Sequence, residues 1–195
     1  MSSDGVGYFE GQNSRDCVVH SFNNAFGYPV VSKPEVLEYI EGRVRDGMRK
    51  YRDNPNVSES DLSKREKVMR ARYSSGKTFF AADVVWDCAK DKGAYKVHTS
   101  IPGFTTPFLR MDVMVPEVVS KPIVLLGGNK NGGTHAVAIR RGLLYDSERI
   151  DEGPRPLTKD EVQSSLPKVF GAYAFLQDPE DIRIIRRSMS MIIPR

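Results

Sequence analysis

The residues best suited to chemistry lie between Gln12 and His20, in the stretch Gln-Asn-Ser-Arg-Asp-Cys-Val-Val-His. Cys17 falls near the start of a predicted short helix, where the helix dipole and free backbone amides favour the nucleophilic thiolate form. The side-chain amide of Gln12 can donate to the oxyanion that forms when a thiolate attacks a carbonyl. Taken alone, Cys17 also fits a half-buried structural cysteine on an apolar helix face.

A second group lies in the other half of the chain. His135 follows the glycine-rich residues 127–133 and opens a predicted strand. A tight turn at Arg141-Gly142 pairs the start of this strand with the end of the next, which brings Asp146 within reach of the His135 ring. A carboxylate there would orient the imidazole and complete a Cys-His-Asp arrangement. Taken singly, His135 also fits a structural histidine, and Asp146 an ordinary turn residue.

The first motif resembles the N-terminal signature of the Josephin deubiquitinases: Gln12, four residues, Cys17, two residues, His20, two residues, Asn23-Asn24. The order of predicted elements is similar over roughly residues 8–186. The resemblance implies a papain-like fold in which Cys17 is the nucleophile, Gln12 the oxyanion donor, His135 the base and Asp146 the orienting residue. His20 and the two asparagines would support the site from the nucleophile helix.

The resemblance also implies a function, which is hydrolysis of peptide or isopeptide bonds after the C-terminal glycine of ubiquitin or a ubiquitin-like protein. No cofactor or metal would be needed, and a helical arm over about residues 32–73 would contact the protein substrate. Two positions depart from the family: Asp146 stands where Josephin domains usually have asparagine, and Ala136 follows the histidine where an aromatic residue is common.

Other functions remain open at this stage. The Asp16-Cys17 pair, with Gln12 upstream and the His-Asp hairpin, also resembles the papain-like leader peptidases of bacteriocin transporters, which cut after glycine-containing segments. A Josephin-like fold could instead bind ubiquitin or another protein without cleaving it. A third hypothesis is a nucleic-acid surface on the basic residues 43–77, although their interspersed acidic residues and sparse aromatic residues favour a solvated helical face.

The periodicity of apolar residues predicts helices first and strands afterwards. The predicted helices cover residues 14–26, 58–73 and 79–92, with another from Ser32 onward; the predicted strands cover residues 95–101, 123–126, 134–140, 143–147, 172–177 and 181–187. Gly27 is expected to end the first helix, and capping boxes begin helices at Ser32 and Thr158, the latter stopped by Pro167. This order predicts one α+β domain over residues 1–195, with the nucleophile helix and its neighbours packed on a small antiparallel sheet.

The amino-acid composition further limits the class of protein and the kinds of site it can contain. The 195 residues are 39% hydrophobic and 28% charged, with a net charge of +4, as in an ordinary globular protein. Two cysteines and three histidines without paired spacing argue against a disulfide framework and a structural zinc site. The lack of a predicted signal or membrane segment indicates the cytosol or nucleus and no membrane partner. Ser75-Gly76-Lys77-Thr78 lacks the first glycine of a P-loop, and His98 and Cys88 are interpreted as structural.

Overall fold

The computed structural model of the chain describes residues 8–11, 16–73, 80–91 and 122–174, with the backbone alone for residues 90–91 and 170–174. The helices are α1 (Cys17–Phe26), α2 (Lys33–Arg52), α3 (Glu59–Arg72), α4 (Ala82–Asp91) and α5 (Lys159–Ser165), and a 3-10 helix spans Ser147–Glu152. The strands are β1 (Ile123–Gly128), β2 (Thr134–Arg140), β3 (Leu143–Tyr145), β4 (Arg155–Pro156) and β5 (Lys168–Ala174). Gln12 and the predicted strands 95–101 and 181–187 lie outside the described residues.

The strands form one sheet in the order β4-β3-β2-β1-β5, and every neighbouring pair is antiparallel. Helices that precede an antiparallel sheet confirm the predicted α+β class. Strand β2 lies at the centre of this sheet, and helix α1 packs against it. The helix that carries Cys17 is therefore held directly against the strand that carries His135. None of the helices in the described part of the chain is long and apolar enough to cross a lipid bilayer.

The β2–β3 hairpin turns at Arg141 and Gly142, as predicted. Both residues have positive φ, 51° and 73°, which is typical of the two-residue turn that matches the twist of antiparallel strands. Arg140 pairs with Leu143 and Ala138 with Tyr145. The predicted end of the second strand at residue 147 is wrong, because Asp146 caps the 3-10 helix by accepting a hydrogen bond from Glu148 N.

The predicted helix boundaries depend on caps, and most of them are confirmed. Ser32 N donates to Glu35 Oε2 over 2.7 Å at the start of α2, and Thr158 Oγ1 accepts from Glu161 N at the start of α5. Gly27 ends α1 with φ of 78°, and its N–H donates to Asn23 O. The predicted start of α1 at residue 14 is wrong, because the helix begins at Cys17 with Asp16 as its N-cap.

The last described strand begins earlier than predicted. Strand β5 starts at Lys168, directly after Pro167 ends the α5 segment, and not at residue 172. Its pairing with β1 shifts register between Leu126 and Gly127. A Cβ at Gly127 would lie 2.5 Å from Lys168 O, so this close approach of two backbones requires glycine.

The core lies between the sheet and α1, which packs on it, and continues between α1, α4 and α2. Its most deeply buried side chains include Phe22, Met48, Phe80 and Val85. Cys88, which the sequence indicated as structural, is 3% exposed, and its thiol donates to Glu35 O. Phe22 packs edge-on against Trp86 with ring centroids 6.4 Å apart. This contact links the helix that carries Cys17 to α4.

We expect Phe22→Ala to lower the free energy of unfolding by about 3–5 kcal/mol, because it leaves a cavity in a dry core. Chemical denaturation followed by circular dichroism measures the change. Val68→Ala is the control, since Val68 is 55% exposed and its truncation should change the free energy of unfolding by less than about 0.5 kcal/mol. Equal effects from the two substitutions would contradict the proposed position of the core.

Candidate active site

Cys17 is the first residue of α1 and is buried. Its position places the sulfur at the end of the helix where backbone N–H groups have no partner within the helix. Those amides and the helix dipole favour negative charge at this point. Because α1 packs against β2, the side chain of Cys17 meets His135, the second residue of that strand.

His135 and Asp146 form a buried pair at the open end of the β2–β3 hairpin. Nε2 of His135 lies 2.8 Å from Oδ1 of Asp146, and both side chains are no more than 2% exposed. The last pair of the β2–β3 ladder joins Ala138 and Tyr145, so the chain turns away at Asp146 and its carboxylate reaches back to the ring. The contact predicted from the hairpin register is therefore present.

The ionisation of this pair follows from its neighbours. Burial opposes protonation of His135, but the hydrogen bond with Asp146 and then the interaction with Cys17 raise the pKa of the imidazole to about 10. Burial likewise opposes ionisation of Asp146, yet the hydrogen bond with His135 lowers the pKa of that carboxyl below its ordinary value. At neutral pH the pair is an imidazolium that donates through Nε2 to a carboxylate.

The other ring nitrogen, Nδ1, is the one left for a reacting group, because Nε2 contacts Asp146. Nδ1 of His135 is buried and makes no hydrogen bond of ordinary geometry within the described residues. Cys17 is close enough to the ring to contribute to the raised pKa of His135. Oε1 of Glu148, a partly exposed carboxylate, lies 3.5 Å from the same nitrogen. The proton on Nδ1 is thus available to a group that enters beside Cys17.

Arg155 stands behind Asp146 and explains how a carboxylate is kept buried there. A guanidinium nitrogen of Arg155 lies 3.6 Å from Oδ2 of Asp146, and the same group donates to Ser165 Oγ over 2.8 Å. The guanidinium also pairs with Glu161 of α5. Strand β4, which pairs with β3, sets the position of Arg155. The second oxygen of Asp146 therefore has a cationic neighbour as well.

The segment just before Gln12 is tied to α1 through Glu10. Oε1 of Glu10 accepts from Asn23 Nδ2 over 2.7 Å and lies 2.8 Å from His20 Nδ1, while Oε2 accepts from the Tyr8 hydroxyl over 2.6 Å. The backbone of Glu10 pairs twice with the Asn24 side chain, over 2.9 Å and 3.0 Å. Glu10 is thereby fixed by side-chain and main-chain contacts two residues before Gln12.

His20 links the two ends of the segment that contains Gln12. Its Nδ1 contacts Glu10 and its Nε2 lies 3.3 Å from Oδ1 of Asp16. Burial opposes protonation of His20, but Glu10 and then Asp16 raise the pKa of the ring above its ordinary value. These two contacts hold residues 10 and 16 close to the ring of His20 on α1. Gln12 itself lies outside the described residues, so its predicted oxyanion role is not tested by these contacts.

Two residues of this site were missed by sequence reasoning. Glu10 had a signal, because a carboxylate two positions before Gln12 could meet the amides of Asn23 and Asn24 once α1 is recognised. Arg155 had none, since a two-residue strand gives no periodic pattern and its contacts with Asp146 and Glu161 come from tertiary structure. The sequence did place Cys17, His135 and Asp146 in the arrangement that the structure brings together.

Comparison with known proteins adds no assignment: no protein-family model matches the chain, and no curated protein matches it either. No three His, Cys, Asp or Glu side chains are grouped to hold a metal ion within the ranges that the structure describes. The functional interpretation therefore depends on the geometry around Cys17 and His135.

We expect Asp146→Asn to lower the pKa of His135 well below about 10, because the substitution removes the negative charge that favours the imidazolium. Titration of ¹³C- or ¹⁵N-labelled histidines by NMR measures the change. His20 is the internal control, since its acidic partners are Glu10 and Asp16 and its titration should not move. An unchanged His135 titration would show that Asp146 does not control the charge of the ring.

Proposed function

We propose that this protein is a cysteine hydrolase with a papain-like fold, in which Cys17 attacks peptide or isopeptide carbonyls. The observation that carries the proposal is the buried His135, held through Nε2 by Asp146 at 2.8 Å and adjacent to a cysteine at a helix N-terminus. Activated nucleophiles are recognised by this order of nucleophile, base and orienting group. Helix α1 packed on an antiparallel sheet supports the papain-like fold.

The reaction begins with attack of the Cys17 thiolate on the substrate carbonyl carbon, which forms a carbon–sulfur bond and places negative charge on the carbonyl oxygen. The unpaired backbone N–H at the start of α1 and the side chain of Gln12 stabilise this oxyanion. Protonated His135 then gives the proton on Nδ1 to the leaving nitrogen, the carbon–nitrogen bond breaks, and a thioester to Cys17 remains.

Water completes the cycle. His135, now neutral, accepts a proton from water as the oxygen attacks the thioester carbon. The carbon–sulfur bond breaks, the carboxylic acid product leaves, and the thiolate and imidazolium are restored. Asp146 transfers no proton in this scheme. It holds the ring by its Nε2 hydrogen bond and stabilises the imidazolium, as the orienting carboxylate does in related triads.

We propose ubiquitin or a ubiquitin-like protein as the substrate. The support is the Josephin-like motif of Gln12, Cys17 and His20 with Asn23-Asn24, together with the contacts that His20 and both asparagines make with Glu10. A flexible C-terminal glycine tail suits a narrow cleft beside a buried cysteine. A nucleophilic thiolate must stay reduced, so we propose that the protein acts in the cytosol or nucleus.

We expect Cys17→Ala to abolish release of a fluorophore from the C-terminus of ubiquitin while leaving the fold intact. His135→Ala should lower kcat/KM by about 10²–10⁴-fold, the usual contribution of general acid–base catalysis, and Asp146→Ala should lower it less. Cys88→Ala is the matched control, because Cys88 is buried on α4 away from the site, and its activity should match the wild type.

Substrate panels separate the alternatives. Defined di-ubiquitins, ubiquitin-like conjugates and glycine-containing peptides are assayed beside the fluorogenic substrate. Cleavage of the peptides alone would assign the protein to the leader-peptidase class and contradict the ubiquitin proposal. Binding of ubiquitin without cleavage of any substrate would contradict the hydrolase proposal and identify a binding module.

We expect Glu10 to act as a positioning residue for the oxyanion donor. Glu10→Ala should lower kcat by roughly 10²-fold, the usual effect of displacing a group by about 1 Å in an active site. The rate at which iodoacetamide alkylates Cys17 should stay nearly unchanged, since alkylation forms no oxyanion. Glu38→Ala, a carboxylate truncation on the exposed face of α2, is the control. If kcat and the alkylation rate fell together, Glu10 would only support the fold.

A further inference from the structure

Helix α3 contributes no buried residue to the protein. It is attached to α2 on one side, where Met69 packs on Gly47 so closely that a Cβ there would lie 2.8 Å from Met69 Cε. On the same side Arg70 pairs with Glu41 of α2 and with Glu66. The contribution of this helix to the core is limited to the partly buried side chains of Leu62 and Met69. Its other faces are available to a partner.

A groove of about 320 Å³ runs along the junction of α2 and α3. We call it the α3 groove, and it is lined by Tyr51, Lys64, Arg65, Val68, Met69 and Arg72. Three of these residues, Lys64, Val68 and Arg72, follow each other at intervals of four along the helix. They form a row with one exposed apolar side chain between two cations.

The charge of the α3 groove is positive and not neutralised locally. Within the described part of the chain, Lys64, Arg65 and Arg72 have no carboxylate at ion-pair distance. The neighbouring Glu66 is committed to Arg70 and Arg52 on the opposite flank of α3. The cations of the groove are thus free to bind carboxylates from another molecule.

The aromatic ring in the groove is already covered by cations. The guanidinium of Arg65 lies 4.5 Å from the Tyr51 ring centroid, and the ammonium of Lys50 lies 5.0 Å from it. Single-stranded nucleic acids are usually bound by stacking bases on open rings, which this arrangement does not offer. Val68, an aliphatic side chain that is 55% exposed, offers a contact for an apolar side chain. These features favour a protein segment over a nucleic acid.

We propose that the α3 groove binds an extended acidic segment with the pattern acidic–x–apolar–x–acidic. Residues eight apart on a helix are separated by about 12 Å along its axis, which is the distance between Lys64 and Arg72. In an extended chain residues i, i+2 and i+4 share one side and span about 13 Å. The central apolar side chain then meets Val68, and each flanking carboxylate meets one cation.

The proposal does not depend on hydrolase activity and is tested by binding alone. The probe is a fluorescein-labelled peptide, Gly-Ser-Asp-Ser-Leu-Ser-Glu-Ser-Gly, titrated with the full chain in low salt and followed by fluorescence anisotropy. The double variant Lys64→Glu/Arg72→Glu should weaken binding by about tenfold, since two attractive exposed pairs become repulsive. Because Lys64 and Arg72 are both exposed, circular dichroism should show an unchanged fold.

Three controls make the test more specific. Lys67→Glu makes the same charge change as Lys64→Glu alone, on an exposed position of α3 that does not line the groove, and it should weaken binding far less than Lys64→Glu. Val68→Ser should weaken binding of the leucine peptide but not of a peptide with glycine at the centre. A second control peptide places leucine next to aspartate, breaking the pattern, and should bind more weakly.

Three results would overturn the proposal. Equal loss of binding from Lys67→Glu and from Lys64→Glu would reduce the effect to net charge. Equal binding of the patterned peptide and the peptide with displaced leucine would show that the α3 groove does not recognise the pattern. Tighter binding of a single-stranded RNA oligonucleotide, lost in the same double variant, would identify a nucleic-acid surface instead.

Discussion

Asp146 holds an ionised carboxylate inside the protein. The arrangement of this half of the chain depends on keeping that carboxylate ionised. An isolated buried ion costs several kcal/mol even after relaxation of its surroundings, so its partners must be supplied by the fold. His135 reaches it from β2, the N–H of Glu148 from the 3-10 helix, and Arg155 from β4. These three partners come from different elements, and a shift of β2 or β4 would remove part of the compensation of a buried charge.

Helix α1 carries two buried side-chain amides that also need hydrogen-bond partners. Asn23 and Asn24 are 3% and 0% exposed, and buried amides must be hydrogen-bonded. Asn23 Oδ1 accepts from the backbone of Val30 and Val31, while its Nδ2 donates to Glu10 and to Val31 O. The chain before the helix and the chain after it are thus bound to the same side chains. The position of Cys17 is set by this network as well as by apolar packing against β2.

The sequence predicted structural features that depend on local interactions better than features that depend on tertiary contacts. The turn at Arg141-Gly142 sets the hairpin register through backbone geometry, so the contact between His135 and Asp146 followed from the sequence. Capping residues placed the starts of α2 and α5 for the same local reason. The start of β5 was missed because its first residues pair across a bulge at Gly127, and Arg155 was missed because its role arises from charges far apart in the chain.

The carboxylate at position 146 has an electrostatic consequence that an amide would not have. In the proposed catalytic state a Cys17 thiolate, a protonated His135 and an ionised Asp146 sum to one negative charge in a buried site. Arg155 compensates it and is in turn compensated by Glu161, whose side chain is 35% exposed, so water screens the last charge. Negative and positive charges therefore alternate from the Cys17 sulfur outward to Glu161 at the surface. With asparagine at position 146 the thiolate and imidazolium would already balance, and Arg155 would keep its pairs with Glu161 and Glu152. Loss of Arg155 would therefore disturb the site more with aspartate at position 146 than with asparagine, because only the aspartate gives the guanidinium a buried carboxylate to stabilise.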